Sequence, residues 1–233
     1  MRQISKEKLK VQIYAGRPEL GIAAADTFAG KGRELLADKE YVNVIFASAP
    51  SQNEFLAELL KRDIAWDRIN AFHMDEYVGL DAEAPQGFGN FLKDRLFNHV
   101  ACREVHYLNG NAPDAQQECK RYADLLVKYP TDIVCLGIGE NTHLAFNDPH
   151  VADFNDPEIV KVVDLDHACR SQQVNDGCFA QIGDVPVLAL TITIPALFKS
   201  TYAYAIVPGK FKADAIYHTI NSEISEQYPS TIL

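Results

Sequence analysis

The chain has 233 residues, 47% of them hydrophobic, enough for one substantial core. Its net charge of −10 opposes nucleic-acid binding, because neutralising a phosphate backbone takes a basic face. The longest apolar stretches, such as 203–207, cannot span a bilayer, and 1–8 lacks the apolar centre of a secretion signal. A cytoplasmic protein without membrane or nucleic-acid partners is expected, and self-association into a homo-oligomer is left open. The five cysteines form no CxxC pair and read as reduced thiols.

In chain order, a strand is predicted at 11–14. A helix follows over 17–36, with Pro18 in its opening turn and a stripe of Leu20, Ala23, Ala24, Phe28, Leu35 and Leu36. Next come a strand at 42–47, a helix at 51–62, a strand at 69–72, a helix at 88–97, a strand at 105–107 and a helix at 115–128. Strands at 132–137, 159–163, 187–193 and 202–207 and a helix at 210–221 complete the pattern. Several strands are apolar almost throughout, as strands covered on both faces are. The alternation predicts one α/β domain over 1–233, a doubly wound, Rossmann-like, mostly parallel sheet with helices on both faces. Ligands of such folds sit beyond the carboxyl ends of the strands, here the loops after Ala47, Phe72, Gly137 and Val207.

The loop after Phe72 reads His73-Met74-Asp75-Glu76-Tyr77-Val78-Gly79-Leu80. Its adjacent carboxylates are either a general base at a strand tip or a solvated acidic turn. The loop after 132–137 reads Gly137-Ile138-Gly139-Glu140-Asn141-Thr142-His143-Leu144-Ala145-Phe146-Asn147-Asp148-Pro149. Its glycines allow a tight turn and close approach to a ligand, and Asp148 is in range to orient the His143 ring. No second His or Cys lies at zinc-ligand spacing, so no metal is expected. The third glycine of a dinucleotide fingerprint is missing, and no cofactor is expected.

Together, MDEYVGL and GIGxxxHLAFNDP resemble the glucosamine-6-phosphate deaminase family, relatives of the 6-phosphogluconolactonases, with looser collinear similarity over nearly the whole chain. The resemblance implies a cofactor-free conversion of glucosamine 6-phosphate to fructose 6-phosphate and ammonia. It implies that Asp75 moves a proton between sugar C2 and C1, that His143 opens the pyranose ring, and that Arg170 and Lys212 bind phosphate. Ser48, Ala49, Ser51, Glu76 and Gly139 complete the expected substrate- and phosphate-binding set. The family usually has Asp at Asn141, Gly at Thr142 and Glu at Asp148, so the negative partner of His143 is expected to be Asp148, with Asn141 beside it. At 47–51 the family's T-G-S-T-P is replaced by Ala-Ser-Ala-Pro-Ser, and Ser51-Gln52-Asn53-Glu54 fits a capping box that would compete with phosphate for the helix end. The polar segment 150–186 is expected to act as a lid. The chain stops at Leu233, where family members usually continue for a short final segment. Two other readings stand beside the deaminase: a 6-phosphogluconolactonase-like hydrolase, and a non-catalytic sugar-phosphate-binding paralogue.

Overall fold

The computed structural model describes residues 1–233. It opens with an antiparallel hairpin of β1 (Arg2–Lys6) and β2 (Leu9–Ile13), joined to no other strand. The strand expected near 11–14 therefore stays outside the main sheet. Its residues are largely exposed, unlike those of a strand sandwiched between helices.

The central sheet is parallel and five-stranded: β3 (Val42–Phe46), β4 (Ile69–His73), β6 (Glu104–His106), β7 (Ile133–Leu136) and β10 (Tyr202–Ala205), in the order β10-β7-β3-β4-β6. Every residue of β3, β4 and β7 is buried, because helices cover both faces. On one face α1 (Arg17–Asp38), α2 (Asn53–Leu59) and α3 (Phe88–Leu92, running on as a π-helical turn) pack Phe28, Phe55 and Leu92 against Phe46 and Val44. On the other, Cys119 and Tyr122 of α4 (Ala115–Lys128) meet Ile45, Phe72 and Val134. Burying each large apolar side chain contributes about 1.5–3 kcal/mol.

The chain runs outward from β3 through β4 to β6, then returns to place β7 on the other side of β3. The connections leaving β3 and β7 diverge there, opening the crevice where ligands of this architecture sit.

The remaining strands add a small antiparallel sheet beside the expected parallel one. Asp75–Tyr77 is not a loop but β5, which pairs antiparallel with β9 (Leu188–Ile192), and β9 pairs antiparallel with β8 (Val160–Asp164). The segment 150–186 therefore contains a strand fixed in a sheet, followed by α5 (His167–Asn175). α6 (Ile194–Leu197) and α7 (Ala213–Asn221) flank β10. No helix is long and apolar enough to cross a membrane.

α1 and α2 cross closely at Gly21, where a Cβ would lie 2.7 Å from Glu54 Cβ and 2.8 Å from its carbonyl carbon. Helix propensity alone favours alanine over glycine by about 1 kcal/mol, but overlap with backbone costs about 1–3 kcal/mol. Gly21→Ala is expected to lower the urea midpoint, and Gly30→Ala, with open space around its Cβ, to raise it. A Gly21→Ala variant as stable as the parent would refute the close crossing.

Candidate active site

β9 brings the two motif segments together. Thr191 is the register partner of Asp75. Its hydroxyl accepts a 3.1 Å hydrogen bond from the Phe146 amide, and Asn147 Nδ2 donates to the Ile192 carbonyl at 2.9 Å. Asp75 and the 137–148 loop are thus pinned to consecutive residues of one strand.

Within that loop, His143 Nδ1 lies 2.8 Å from Asp148 Oδ1 and 2.7 Å from Asn141 Oδ1. Asn141 Nδ2 donates to the same Asp148 oxygen at 2.8 Å. Both neighbours of Nδ1 are acceptors, so Nδ1 carries the proton and Nε2 is the nitrogen left for proton exchange. Asp148 is 0% exposed. Burial pushes its pKa up, but the His143 charge, the hydrogen bonds from His143 and Asn141 and the nearby Cys169 thiol outweigh this and hold it at about 2. Asn141 therefore closes a triangle, and Asp148 supplies the charge.

Two residues tolerate unusual geometry to make that triangle. A Cβ on Gly139 would overlap the His143 ring, so Gly139 serves the imidazole rather than a ligand. Thr142 has φ +72, where a β-branched residue is strained, and its hydroxyl is buried without a partner. Its carbonyl accepts from the Ser230 amide at 2.9 Å, which helps hold it there.

Asp75 is 7% exposed, and burial, together with the neighbouring Glu76 charge, raises its pKa well above the usual carboxylate value. Glu76 itself accepts from the amides of Tyr77, Phe88 and Gly89. This corrects its expected ligand role: its oxygens are spent on the start of α3. His73 is likewise structural. Burial lowers its pKa to about 4, and its Nε2 accepts from the Leu108 amide at 2.9 Å.

At the crevice between β3 and β7, Ser48 Oγ is buried without a partner. The helical run starting at Pro50 has Ala49 as N-cap and no side-chain cap. The expected capping box does not form. Ser51 Oγ accepts from Gln52 Nε2 at 3.0 Å, while Glu54 pairs with Arg17 at 2.6 Å. Arg17 also donates to the Pro50 carbonyl at 2.8 Å, and Gln52 Nε2 to that of Ile206 at 3.1 Å, tying the loop after β3 to the end of β10. Lys212, just past β10, is 7% exposed and forms none of the chain's ion pairs. Burial lowers its pKa, and the Asp176 and Glu140 charges oppose this. A buried cation without an ion pair is suited to an anion.

Arg170 does not join this cluster. Its guanidinium donates to the carbonyls of Ile182, at 2.7 Å, and Val185, at 3.0 and 3.2 Å, holding its own segment together. The α5 residues that reach the site were not anticipated from the sequence. Gln172 Oε1 accepts from the Glu140 amide at 2.7 Å, and Gln173 Oε1 from the Tyr77 hydroxyl at 2.9 Å. A paired amide in an otherwise unpatterned segment was their only local signal.

A parallel α/β sheet that carries a His–Asp pair, a buried carboxylate and a buried lysine without an ion pair on the segments following its strands fits a small-molecule enzyme site. A model of the family described as glucosamine-6-phosphate isomerases/6-phosphogluconolactonase matches residues 16–233. The glucosamine-6-phosphate deaminase of Bacillus cereus (strain B4264) is 34% identical over 200 residues, 86% of this chain and 74% of that protein. The solved structure of a monomeric glucosamine-6-phosphate deaminase superposes with a TM-score of 0.84 at 30% identity, covering 92% of this chain and 88% of that one. A 6-phosphogluconolactonase from Thermotoga maritima shares the fold, with a TM-score of 0.72 at 22% identity over 90% and 89% of the chains. The chain belongs to the glucosamine-6-phosphate isomerase/6-phosphogluconolactonase family.

Thr142→Gly is expected to stabilise the fold by about 1 kcal/mol, since relief of strain of about 1–3 kcal/mol exceeds the extra freedom of an unfolded glycine. A lower urea midpoint would show that the positive φ costs nothing. Asp75→Asn tests the buried carboxyl. A raised folded pKa means the folded state holds its proton more tightly, so its contribution is complete below about pH 3.9 and is lost as pH rises towards the folded value. Asp75→Asn removes that loss. Its melting temperature should exceed the parent's at pH 8, with the gap closing as pH falls to 4. A gap independent of pH would contradict this.

Proposed function

We propose that the chain is a glucosamine-6-phosphate deaminase/isomerase that converts an amino-sugar phosphate and water to a ketose phosphate and ammonia. The juxtaposition of Asp75 with the His143–Asp148 pair across Thr191 carries this reading. His143, fixed through Nδ1, uses Nε2 to take the proton of the anomeric hydroxyl and to return one to the ring oxygen as the ring opens. Asp75 removes the proton from C2 and delivers it to C1. The amino-aldehyde becomes a ketimine, water adds at C2, and ammonia leaves. A carboxyl with a raised pKa suits both halves of that transfer. Lys212, Ser48 and the amides of 48–51 take the phosphate.

The non-catalytic reading rests on Asn141 and the altered 47–54 loop, of which the capping box is one part. Asn141 completes the His143–Asp148 triangle, and the box is not formed. The lactonase likeness, at 22% identity or below among the lactonase structures compared, supports the fold alone.

Ammonia release from glucosamine 6-phosphate tests the proposal. The parent should turn over, Asp148→Asn should lose about 100-fold or more in kcat, in the range of lost acid–base assistance, and Lys212→Ala should mainly raise KM. Binding without ammonia release, or rates indifferent to Asp148→Asn, would overturn it.

A further inference from the structure

Three groups of different chemistry converge beside the imidazole. A ring nitrogen of His143, a carboxylate oxygen of Asp148 and Cys169 Sγ all lie within 4.8 Å of one another, and all three residues are buried. Asp148 Oδ2 has no hydrogen-bond partner meeting normal geometry, so one carboxylate oxygen stays available inside the cluster. Cys169 arrives from α5, anchored separately: its amide donates to Asp166 at 2.7 Å, and Gln172 and Gln173 bind the neighbouring loop and strand. Cys169 lies on α5, 26 residues beyond His143 in sequence, so the cluster forms through the fold and not through local ligand spacing.

We propose that His143, Asp148 and Cys169 form a binding site for a thiophilic divalent cation of the Zn²⁺ class, and that this cation competes with the hydrogen bond between His143 and Asp148. Zinc bound at about 2.0–2.3 Å by N, O and S in a tetrahedron sets its ligands roughly 3.3–3.8 Å apart. The observed cluster reaches this by a shift of about 1 Å, within the compass of side-chain rotation. One imidazole, one carboxylate and one thiolate favour zinc, cadmium or cobalt over magnesium and calcium, which take oxygen. A fourth position falls to water. Binding releases one proton to solvent, from the Cys169 thiol, while the proton of neutral His143 passes from Nδ1 to Nε2. Burial raises the Cys169 pKa, so it stays a thiol until a metal displaces its proton. With its Nδ1 proton gone, His143 is no longer supported by Asp148, and occupancy blocks turnover. That last consequence rests on the deaminase reading; the site does not.

The test is a Co²⁺ titration of the full chain, followed by the thiolate-to-cobalt charge-transfer absorption. One equivalent should develop the band, Zn²⁺ should abolish it, and Cys169→Ser and Cys169→Ala should both lack it. His143→Gln and Asp148→Asn should weaken the apparent Kd by more than about tenfold, as loss of one ligand of three does. No band, or a band that survives in Cys169→Ala, overturns the site. In parallel, Zn²⁺ should slow ammonia release by the parent and leave the rate of Cys169→Ala the same with and without metal. Equal inhibition of both proteins overturns the competition. A parent that gives the cobalt band but no ammonia sinks the deaminase reading and leaves the metal site standing.

Discussion

One edge of an imidazole organises this molecule. His143 Nδ1 has two acceptors within 2.8 Å, and the stronger of them, Asp148, is wholly shut from water. A buried carboxylate without a charged or hydrogen-bonding partner would take up a proton, and removing one member of a buried pair costs about 3–5 kcal/mol. Asp148 nevertheless stays ionised down to about pH 2, because His143 and Asn141 converge on one of its oxygens. The missing Cβ at Gly139, the left-handed Thr142 and the Thr191 anchor all hold that edge in place.

The site is a place where local stability yields to chemistry. Asp75 is buried beside another carboxylate, Thr142 is strained around an orphan hydroxyl, and Lys212 is buried with no ion pair. Each is unfavourable alone and persists because the two cores on either side of the sheet over-determine the backbone around it. Each lies on a segment that follows a strand of the parallel sheet, the side on which ligands of this architecture sit.

Much of this was legible in the sequence, because periodicity and apolar runs are local. The helix over 115–128 fell where α4 lies, and the apolar runs marked β3, β4 and β7. Asp75, His143 and Asp148 were legible as motif residues, and their spacing suggested the pairing. What escaped depends on partners distant along the chain. The pairing of β5 with β9 joins segments with no shared pattern, so Asp75–Tyr77 read as part of the loop after Phe72. The capping box was locally sound, but Arg17, 37 residues upstream of Glu54, claims its carboxylate. Arg170 looked free and is committed to carbonyls of its own segment, and Cys169 enters the site only through the placement of α5.

The central claim is that His143 is held as the Nδ1–H donor by an ionised Asp148. Nitrogen-15 NMR of the histidine side chains reads this directly. The account predicts a protonated Nδ1 on His143 whose proton is strongly deshielded, persists from neutral pH to below pH 4 while Asp148 remains ionised, and is lost in Asp148→Asn. An unprotonated Nδ1 at neutral pH, or a His143 resonance unmoved by Asp148→Asn, would contradict it.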